Sequence, residues 1–265
     1  MPDPGDTSAV EKEMSRPFSD HFSGVAGAYA EFRPRYPEAL FQWLAGLAPG
    51  RELGWDCATG SGQAAVALAP LFDRVVATDA SAEQIAAAPP HPRVEYRVAP
   101  AESSGLAAGS VDLVTVAQAL HWFDRPAFYA EAARVLDPDG VLAVWTYGHP
   151  HVDPPEADAV FQEFYSETVG PYWPPERALV DAGYRTIEFP FPEVDPPPFE
   201  METHWTLAAL LGYVATWSAT TRFRRARGFD PVPALEEALA PQWGDPEEAR
   251  RIRWPLAMRV GRRGR

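Results

Sequence analysis

The sequence predicts an α/β protein with a doubly wound, mostly parallel seven-stranded sheet, an antiparallel edge and a helical cap. Two observations support this fold class. Over residues 51–148, short apolar segments alternate five times with segments of helical periodicity, which is typical of parallel strands joined by right-handed crossovers. The apolar segments also lack polar alternation, as expected of strands that are covered by helices on both faces.

The elements follow in order along the chain. Apolar residues at helical spacing predict lid helices within residues 20–48, interrupted by Pro34 and Pro37. Five strands are predicted in the core of residues 51–148: RELGWDCA, DRVVATDA, VEYRVA, VDLVTVAQAL and VLAVWTY. Three helices are predicted between them: QAAVALAPLF, SAEQIAAA and RPAFYAEAARVL. The second of these helices would begin at a capping box formed by Ser81 and Gln84.

Beyond Gly148 the sequence becomes rich in proline and aromatic residues. Helical patterns predict a cap, and the stretches TIEFPF and IRWPLAMRVGRR predict edge strands. The cap covers residues 150–183 and 205–240, and the edge strands cover residues 185–192 and 251–263. We therefore expect a flexible leader over residues 1–19 and a single domain over residues 20–265.

The composition limits the partners. Asp and Glu number 37 against 23 Lys and Arg, which gives a net charge of −14. Such a surface repels phosphate backbones and acidic lipids, so we expect neither a nucleic acid nor a membrane as partner. Cys57 is the only cysteine, and the sequence contains no apolar run of membrane-spanning length and no signal core. We expect a cytoplasmic monomer or homodimer that acts on a small molecule without a metal ion.

A glycine-containing loop, ATGSG at residues 58–62, follows the first predicted strand and opens a helix. Such a loop lets a ligand approach the backbone, although a plain tight turn can have the same sequence. Asp79 ends the second strand 17 residues after Gly62, where a carboxylate can accept both ribose hydroxyls of an adenosine. The sequence therefore predicts an adenosine cofactor at this edge of the sheet.

A second acid near the loop, Asp56, discriminates between adenosine cofactors. A nicotinamide dinucleotide would place its pyrophosphate beside the loop, where another carboxylate is unfavourable, whereas an ammonium or sulfonium group tolerates it. Ala58 also stands where the dinucleotide fingerprint has its first glycine. The residues favour S-adenosylmethionine over NAD, and we expect Asp56 itself to anchor the loop rather than to catalyse.

The segments WDCATGSGQ, VVATDAS, AESSGL and SVDLVTVAQALHWFD resemble the successive motifs of class I S-adenosylmethionine-dependent methyltransferases. The segments YAEFRPRYP, AVWTYGHP, GPYWPPER, YVATWSAT and IRWPLAMRVGRR resemble the trans-aconitate methyltransferase-like subgroup. The resemblance implies a Rossmann-like methyltransferase fold, S-adenosylmethionine as cofactor and S-adenosylhomocysteine as product. It also implies a small-molecule methyl acceptor, for which the subgroup suggests a carboxylic acid.

The resemblance also implies roles for individual residues. Cofactor contacts are implied for Ala58, Gly60 and Gly62 around the methionine part, Asp79 at the ribose, Ala80, Ala101 and Glu102 at the adenine, and Ala117 and Gln118 facing the methionine part. The sequence departs from the family pattern at two positions. Ala58 replaces the usual first glycine, and Pro100 stands where many relatives have an acidic adenine contact, a task that would pass to Glu102.

Two further groups are candidates for the cofactor and the chemistry. His121 follows the fourth strand and could be a general base, or it could anchor the loop by hydrogen bonds. An N-terminal helix often covers the cofactor pocket in this family, which makes Tyr29 and Arg33 candidates for cofactor contacts. Arg33 could pair with a carboxylate, or it could be a surface residue.

The candidates for the acceptor pocket are aromatic. They are Tyr36, Trp122, Trp173 and Trp217. Aromatic residues of a helical cap more often belong to the core, so packing is the alternative interpretation. Two other functions also remain open, an NAD-dependent oxidoreductase and a non-catalytic S-adenosylmethionine-binding protein, because fold alone does not determine activity.

Overall fold

The computed structural model describes residues 34–264. The predicted leader over residues 1–19, the first part of the lid, and the candidates Tyr29 and Arg33 lie outside the described residues.

The strands and helices are bounded as follows. The strands are β1 (Leu53–Cys57), β2 (Arg74–Asp79), β3 (Val94–Val98), β4 (Val111–Ala117), β5 (Leu136–Tyr147), β6 (His151–Val152), β7 (Glu200–Trp205) and β8 (Arg250–Arg262). The α-helices are α1 (Glu38–Leu47), α2 (Gln63–Leu68), α3 (Ala82–Ala87), α4 (Arg125–Val135), α5 (Pro155–Glu163), α6 (Arg177–Asp181), α7 (Leu207–Ala215), α8 (Ser218–Arg227) and α9 (Val232–Trp243).

Within residues 34–264 the strands form one mixed sheet of eight, one more than the sequence predicted. Its order is β3-β2-β1-β4-β5-β8-β6, and β7 also pairs with β8. The first five strands in this order are parallel, and β8 runs antiparallel to its neighbours. The predicted fold class is confirmed. The order reverses between β1 and β4, and ligands of such sheets bind at the carboxyl ends of the strands on either side of this switch point.

The predicted edge strand over residues 185–192 is wrong. In that segment the backbone forms a turn and an irregular stretch, and the next residue, Glu193, makes a single bridge to Gly261. Pro190 and Pro192 interrupt the segment, and proline has no N–H to donate to a ladder. The antiparallel edge is formed by β6 and β7 instead, which pair with the first half of β8.

Apolar layers cover both faces of the sheet. On one face, the helices α1, α2, α5, α7, α8 and α9 contribute to an apolar cluster that includes Phe41, Trp145 and Trp254. On the other face, α4 and the turn after α6 pack against Trp55 and Val144. Both faces of the central parallel strands β1 and β4 are thus buried, in agreement with their apolar sequences. The edge strand β3 is instead partly exposed, because it has a neighbouring strand on one side only. No helix among residues 34–264 is long and apolar enough to cross a membrane.

Candidate active site

The loop of residues 58–62 joins β1 to α2 and has a left-handed backbone at three positions. The φ angles are 54° at Ala58, 54° at Gly60 and 82° at Gly62. This conformation favours glycine, and for an L-residue such as Ala58 it costs about 1–2 kcal/mol. A Cβ on Gly62 would stand 2.6 Å from Oη of Tyr96, whereas at Gly60 the nearest heavy atom would be 4.0 Å away. The backbone at Gly60 is therefore open to a ligand.

Asp56 anchors this loop from below, as the sequence suggested. Its carboxylate is almost fully buried and accepts hydrogen bonds from Oγ1 of Thr59 at 2.6 Å and Oγ1 of Thr115 at 2.7 Å. The backbone N–H of Ala65 in α2 is a third donor. Burial raises the pKa of Asp56 to about 6, against the lowering effect of these donors. The acid faces protein donors, so it would act on a ligand through its charge rather than by contact.

Asp79 lies at the end of β2, beside the loop. One carboxylate oxygen accepts the N–H of Gly60 and the other accepts the N–H of Ser81, both at 2.9 Å. The Ser81 side chain in turn accepts the N–H of Gln84 and caps α3. Each oxygen of Asp79 keeps further lone-pair capacity, because a carboxylate has about four acceptor sites. The backbone thus holds the carboxylate in one orientation with acceptors to spare.

The three residues assigned to the adenine lie at the neighbouring strand ends. Ala80 follows Asp79 and is exposed, and Ala101 in the loop after β3 is buried. Oε1 of Glu102 accepts the N–H of Asp124 at 3.1 Å. Asp124 is the residue that caps α4, so Glu102 links the loop after β3 to the start of that helix.

Gln118, directly after Ala117 at the end of β4, also has a left-handed backbone, with φ of 59°. Its Nε2 donates to the carbonyl of Tyr147 at 2.8 Å, and its Oε1 accepts from Oγ1 of Thr146 at 2.7 Å. These bonds tie the end of β4 to the end of β5. Much of the side-chain amide is used inside the protein, and the backbone N–H donates to the carbonyl of Trp145 at 2.9 Å, so Gln118 faces a ligand mainly with its backbone carbonyl.

His121 lies in a short 3-10 helix, Leu120–Trp122, and is bonded to a residue that the sequence did not single out. Its Nδ1 is 2.8 Å from Oη of Tyr184, a fully buried tyrosine with φ of 59°. Burial, together with the charge of Arg177, lowers the pKa of His121 to about 4. At neutral pH the ring is therefore uncharged and a weak base. Sequence reasoning could not identify Tyr184, because it lies in no recognisable motif and only the fold brings it to His121, 63 residues away.

The structure groups some of the predicted aromatic residues and separates others. Trp173 and Trp217 are neighbours, with ring centroids 5.6 Å apart, and Tyr165 packs against both. Trp122 lies against His121 at 4.7 Å and is 38% exposed. Tyr36 packs on the rings of β5 instead, 5.4 Å from Trp145.

Arg177 was missed by sequence reasoning, although it lies within the segment GPYWPPER. Its guanidinium carbon is 4.5 Å from the ring centroid of Trp173 and 5.5 Å from that of Tyr165. Two buried nitrogens nearby, Nε1 of Trp173 and Nδ1 of His149, have no hydrogen-bond partner within residues 34–264. A buried polar atom without a partner costs about 1–3 kcal/mol, so such atoms mark a place where a ligand can compensate.

Known proteins resemble this chain over most of its length. A family model described as a methyltransferase domain matches residues 55–144. A Dictyostelium discoideum protein named as a methyltransferase is 36% identical over 225 residues, which are 84% of this chain and 86% of that protein. An uncharacterised methyltransferase of Mycobacterium tuberculosis is 32% identical over 205 residues, which are 77% of this chain and 79% of that one.

A solved structure resembles the chain in the cap as well as in the sheet. It comes from Anaeromyxobacter dehalogenans and is described as that of a type II methyltransferase. The TM-score is 0.84 and the identity 51%, and the match covers 88% of this chain and 98% of the other.

Proposed function

The chain belongs to the class I, S-adenosylmethionine-dependent methyltransferases, and on that premise we propose that it methylates a carboxylate oxygen of a small organic acid. The observation that carries the cofactor side of the proposal is the joint geometry of the loop and Asp79. The acid is suggested by the resemblance to the trans-aconitate methyltransferase-like subgroup. The NAD-dependent and non-catalytic alternatives have no support from relatives that are named as methyltransferases.

The residues at the strand ends fit this cofactor. The open backbone at Gly60 suits the methionine part, and the spare acceptor sites of Asp79 suit the two ribose hydroxyls. We assign Ala58, Gly62, Ala117 and Gln118 to the methionine part and Ala80, Ala101 and Glu102 to the adenine. Tyr29 and Arg33 are proposed as lid residues over the cofactor.

The chemistry needs little from the protein beyond placement. When bound, the cofactor supplies an electrophilic methyl group, so that transfer to a carboxylate oxygen forms a C–O bond, breaks the C–S bond, leaves the electron pair on sulfur and moves no proton. The protein must hold the acceptor oxygen at attack distance and exclude water.

The aromatic residues Tyr36, Trp122, Trp173 and Trp217 are proposed to enclose the acceptor. The net charge of −14 supports a small acceptor over nucleic acid, and we propose a cytoplasmic monomer or homodimer.

The acceptor class is tested by a transfer assay with S-adenosylmethionine that carries a labelled methyl group. Benzoate, trans-cinnamate and fumarate are compared with the corresponding alcohols and amides. We expect label in products that release methanol in base, as methyl esters do. Label confined to neutral acceptors would contradict the carboxylate acceptor without affecting the cofactor assignment.

Replacing His121 by alanine is expected to lower kcat for an acid acceptor less than about 10-fold, because a carboxylate needs no base. A general base would instead contribute about 10²–10⁴-fold. Because the pKa of His121 is about 4, its protonation does not change between pH 6 and 8. We therefore expect kcat to depend on pH in the same way in the wild type and in the variant over this range. The control is His91→Ala, which removes a histidine from the turn before β3. A loss of kcat near 10³-fold with unchanged cofactor affinity would restore the role of base to His121.

A further inference from the structure

Arg177, the first residue of α6, lies at the end of β5 and close to the predicted reaction site. Its Nη2 is 3.8 Å from the point where a Cβ on Gly148 would stand. The preceding residue, Tyr147, is the one whose carbonyl accepts from Gln118. The charge of Arg177 also lowers the pKa of His121, which places the guanidinium within electrostatic reach of the loop after β4.

The guanidinium is held in a fixed orientation. It stacks on the ring of Trp173, and its Nε donates to Oδ1 of Asp181 at 2.9 Å. The same carboxylate oxygen accepts from Oη of Tyr165 at 3.1 Å. The side chain of Arg177 is only 18% exposed. The guanidinium also makes a hydrogen bond to Tyr165. An arginine has five N–H donors, so N–H groups on Nη remain for a second partner.

Within the described part of the chain, the surroundings of Arg177 contain buried nitrogens without hydrogen-bond partners, and either of them can donate to a ligand, His149 in the tautomer that carries its proton on Nδ1. Among residues 34–264, Nε1 of Trp173 and Nδ1 of His149 are buried and lack a hydrogen-bond partner. Both rings flank Tyr165, with centroid distances of 5.6 Å for Trp173 and 4.1 Å for His149. Burial, together with the charge of Arg177, lowers the pKa of His149, which favours the uncharged ring and leaves Arg177 as the cation of this cluster.

We propose that Arg177 is the specificity-determining residue of the acceptor pocket and binds a carboxylate of the acceptor through its Nη groups. Trp173 and His149 contribute further hydrogen bonds, and the rings of Tyr165 and Trp217 enclose the rest of the molecule. This inference rests on the proposed function and adds the residue that selects the acceptor. Because methylation neutralises the carboxylate, the ester loses the charge-assisted contact and binds more weakly than the acid.

The test compares acid and ester binding in matched variants. Calorimetry is performed with S-adenosylhomocysteine present, using benzoate, trans-cinnamate and monomethyl fumarate, and then the methyl ester of each. For Arg177→Met we expect acid binding to weaken about 10–100-fold, the loss expected for a charge-assisted contact, with ester binding unchanged. Arg177→Lys keeps the positive charge but loses the planar guanidinium, so its affinity for acids should lie between those of the wild type and Arg177→Met. Affinity for S-adenosylhomocysteine should stay within about 2-fold in each, since none of the contacts of Arg177 described above involves the loop of residues 58–62 or Asp79.

Two controls separate binding from structure. Asp181→Asn removes the ion pair but keeps the guanidinium, so a carboxylate-binding role predicts that this variant still prefers acid to ester. Arg251→Met removes an arginine that pairs with Glu200 and Glu202 on the antiparallel edge, and it should not alter the preference.

Several outcomes overturn the inference. They are a wild type with no preference for acid over ester, an Arg177→Met variant that keeps the preference, and equal losses of acid and ester binding, which would show a packing role for the stack on Trp173. If Arg177→Met methylates acids with an unchanged KM, Arg177 is not the selecting residue and the proposed function stands. If the wild type methylates only neutral acceptors, the proposed carboxylate acceptor fails instead.

Discussion

Asp79→Ala should weaken the binding of S-adenosylmethionine about 100-fold, which corresponds to about 3 kcal/mol from two hydrogen bonds to a charged group. The carboxylate at the end of β2 is held by the N–H groups of Gly60 and Ser81, and its spare acceptor sites are the ones that we assign to the ribose hydroxyls. Asn is not a conservative replacement here, because its NH₂ group would face one of those two backbone donors. We therefore expect Asp79→Asn to lose affinity as well.

The measurement is calorimetry with S-adenosylmethionine and with S-adenosylhomocysteine. Asp73→Ala is the matched control, because it removes an exposed aspartate that directly precedes the same strand, at its opposite end. A comparison of adenosine with 2′-deoxyadenosine and 3′-deoxyadenosine separates ribose contact from loop disorder. The wild type should prefer adenosine, and Asp79→Ala should not distinguish the three. An Asp79→Ala variant that still prefers adenosine would show that another residue binds the ribose.

The parallel part of the fold could be predicted because its signals are local. Strands β1, β2 and β4 and the second half of β5 are apolar runs that are largely buried on both faces, and turn residues separate the runs. The strand β3, VEYRV, lies at the edge of the sheet and is not fully buried. The edge could not be predicted in the same way. TIEFPF has the residue types of a strand, yet Pro190 within it and Pro192 directly after it have no N–H to donate to a neighbouring strand. At the edge, tertiary packing decides which segments form hydrogen bonds with the long strand β8, and these segments are β6 and β7.

The same limit applies to the candidate site. The loop, Asp79 and Gln118 lie at strand ends that the fold class brings to one edge, so their positions follow from spacing along the sequence. Tyr184 and Arg177 come from a turn and a short helix far along the chain from β4, and the hydrogen bond between Tyr184 and His121 joins residues 63 positions apart. Arg177 is only four residues from Trp173, but its closeness to Gly148 and His121 depends on the fold. The loop also owes its shape to a residue beneath it, Asp56, whose charge can be tested directly.

Asp56→Asn should remove a pH dependence from the folding stability. The folded-state pKa of Asp56 is raised from 3.8 to about 6, so between these values the native state binds more protons than the unfolded state. The free energy of unfolding therefore falls as pH rises through this window, by about 3 kcal/mol for a shift of about 2 pKa units in a buried group. Asn does not titrate, and the hydroxyls of Thr59 and Thr115 can rotate to accept from its NH₂ group.

The measurement is urea denaturation of wild type and Asp56→Asn at several pH values from 4 to 8, extended to about pH 3 for the control variant. Relative to the variant, the wild type should lose stability from pH 4 to pH 6 and then level off. Glu131→Gln is a control of opposite sign, because hydrogen bonds from Arg134 lower the pKa of Glu131 from 4.5 to about 2. Relative to that variant, the wild type should lose stability as pH falls below about 4.5. A constant difference between wild type and Asp56→Asn over pH 4–8 would mean that the buried acid keeps an ordinary pKa. The hydrogen bonds from Thr59, Thr115 and Ala65 would then outweigh its burial.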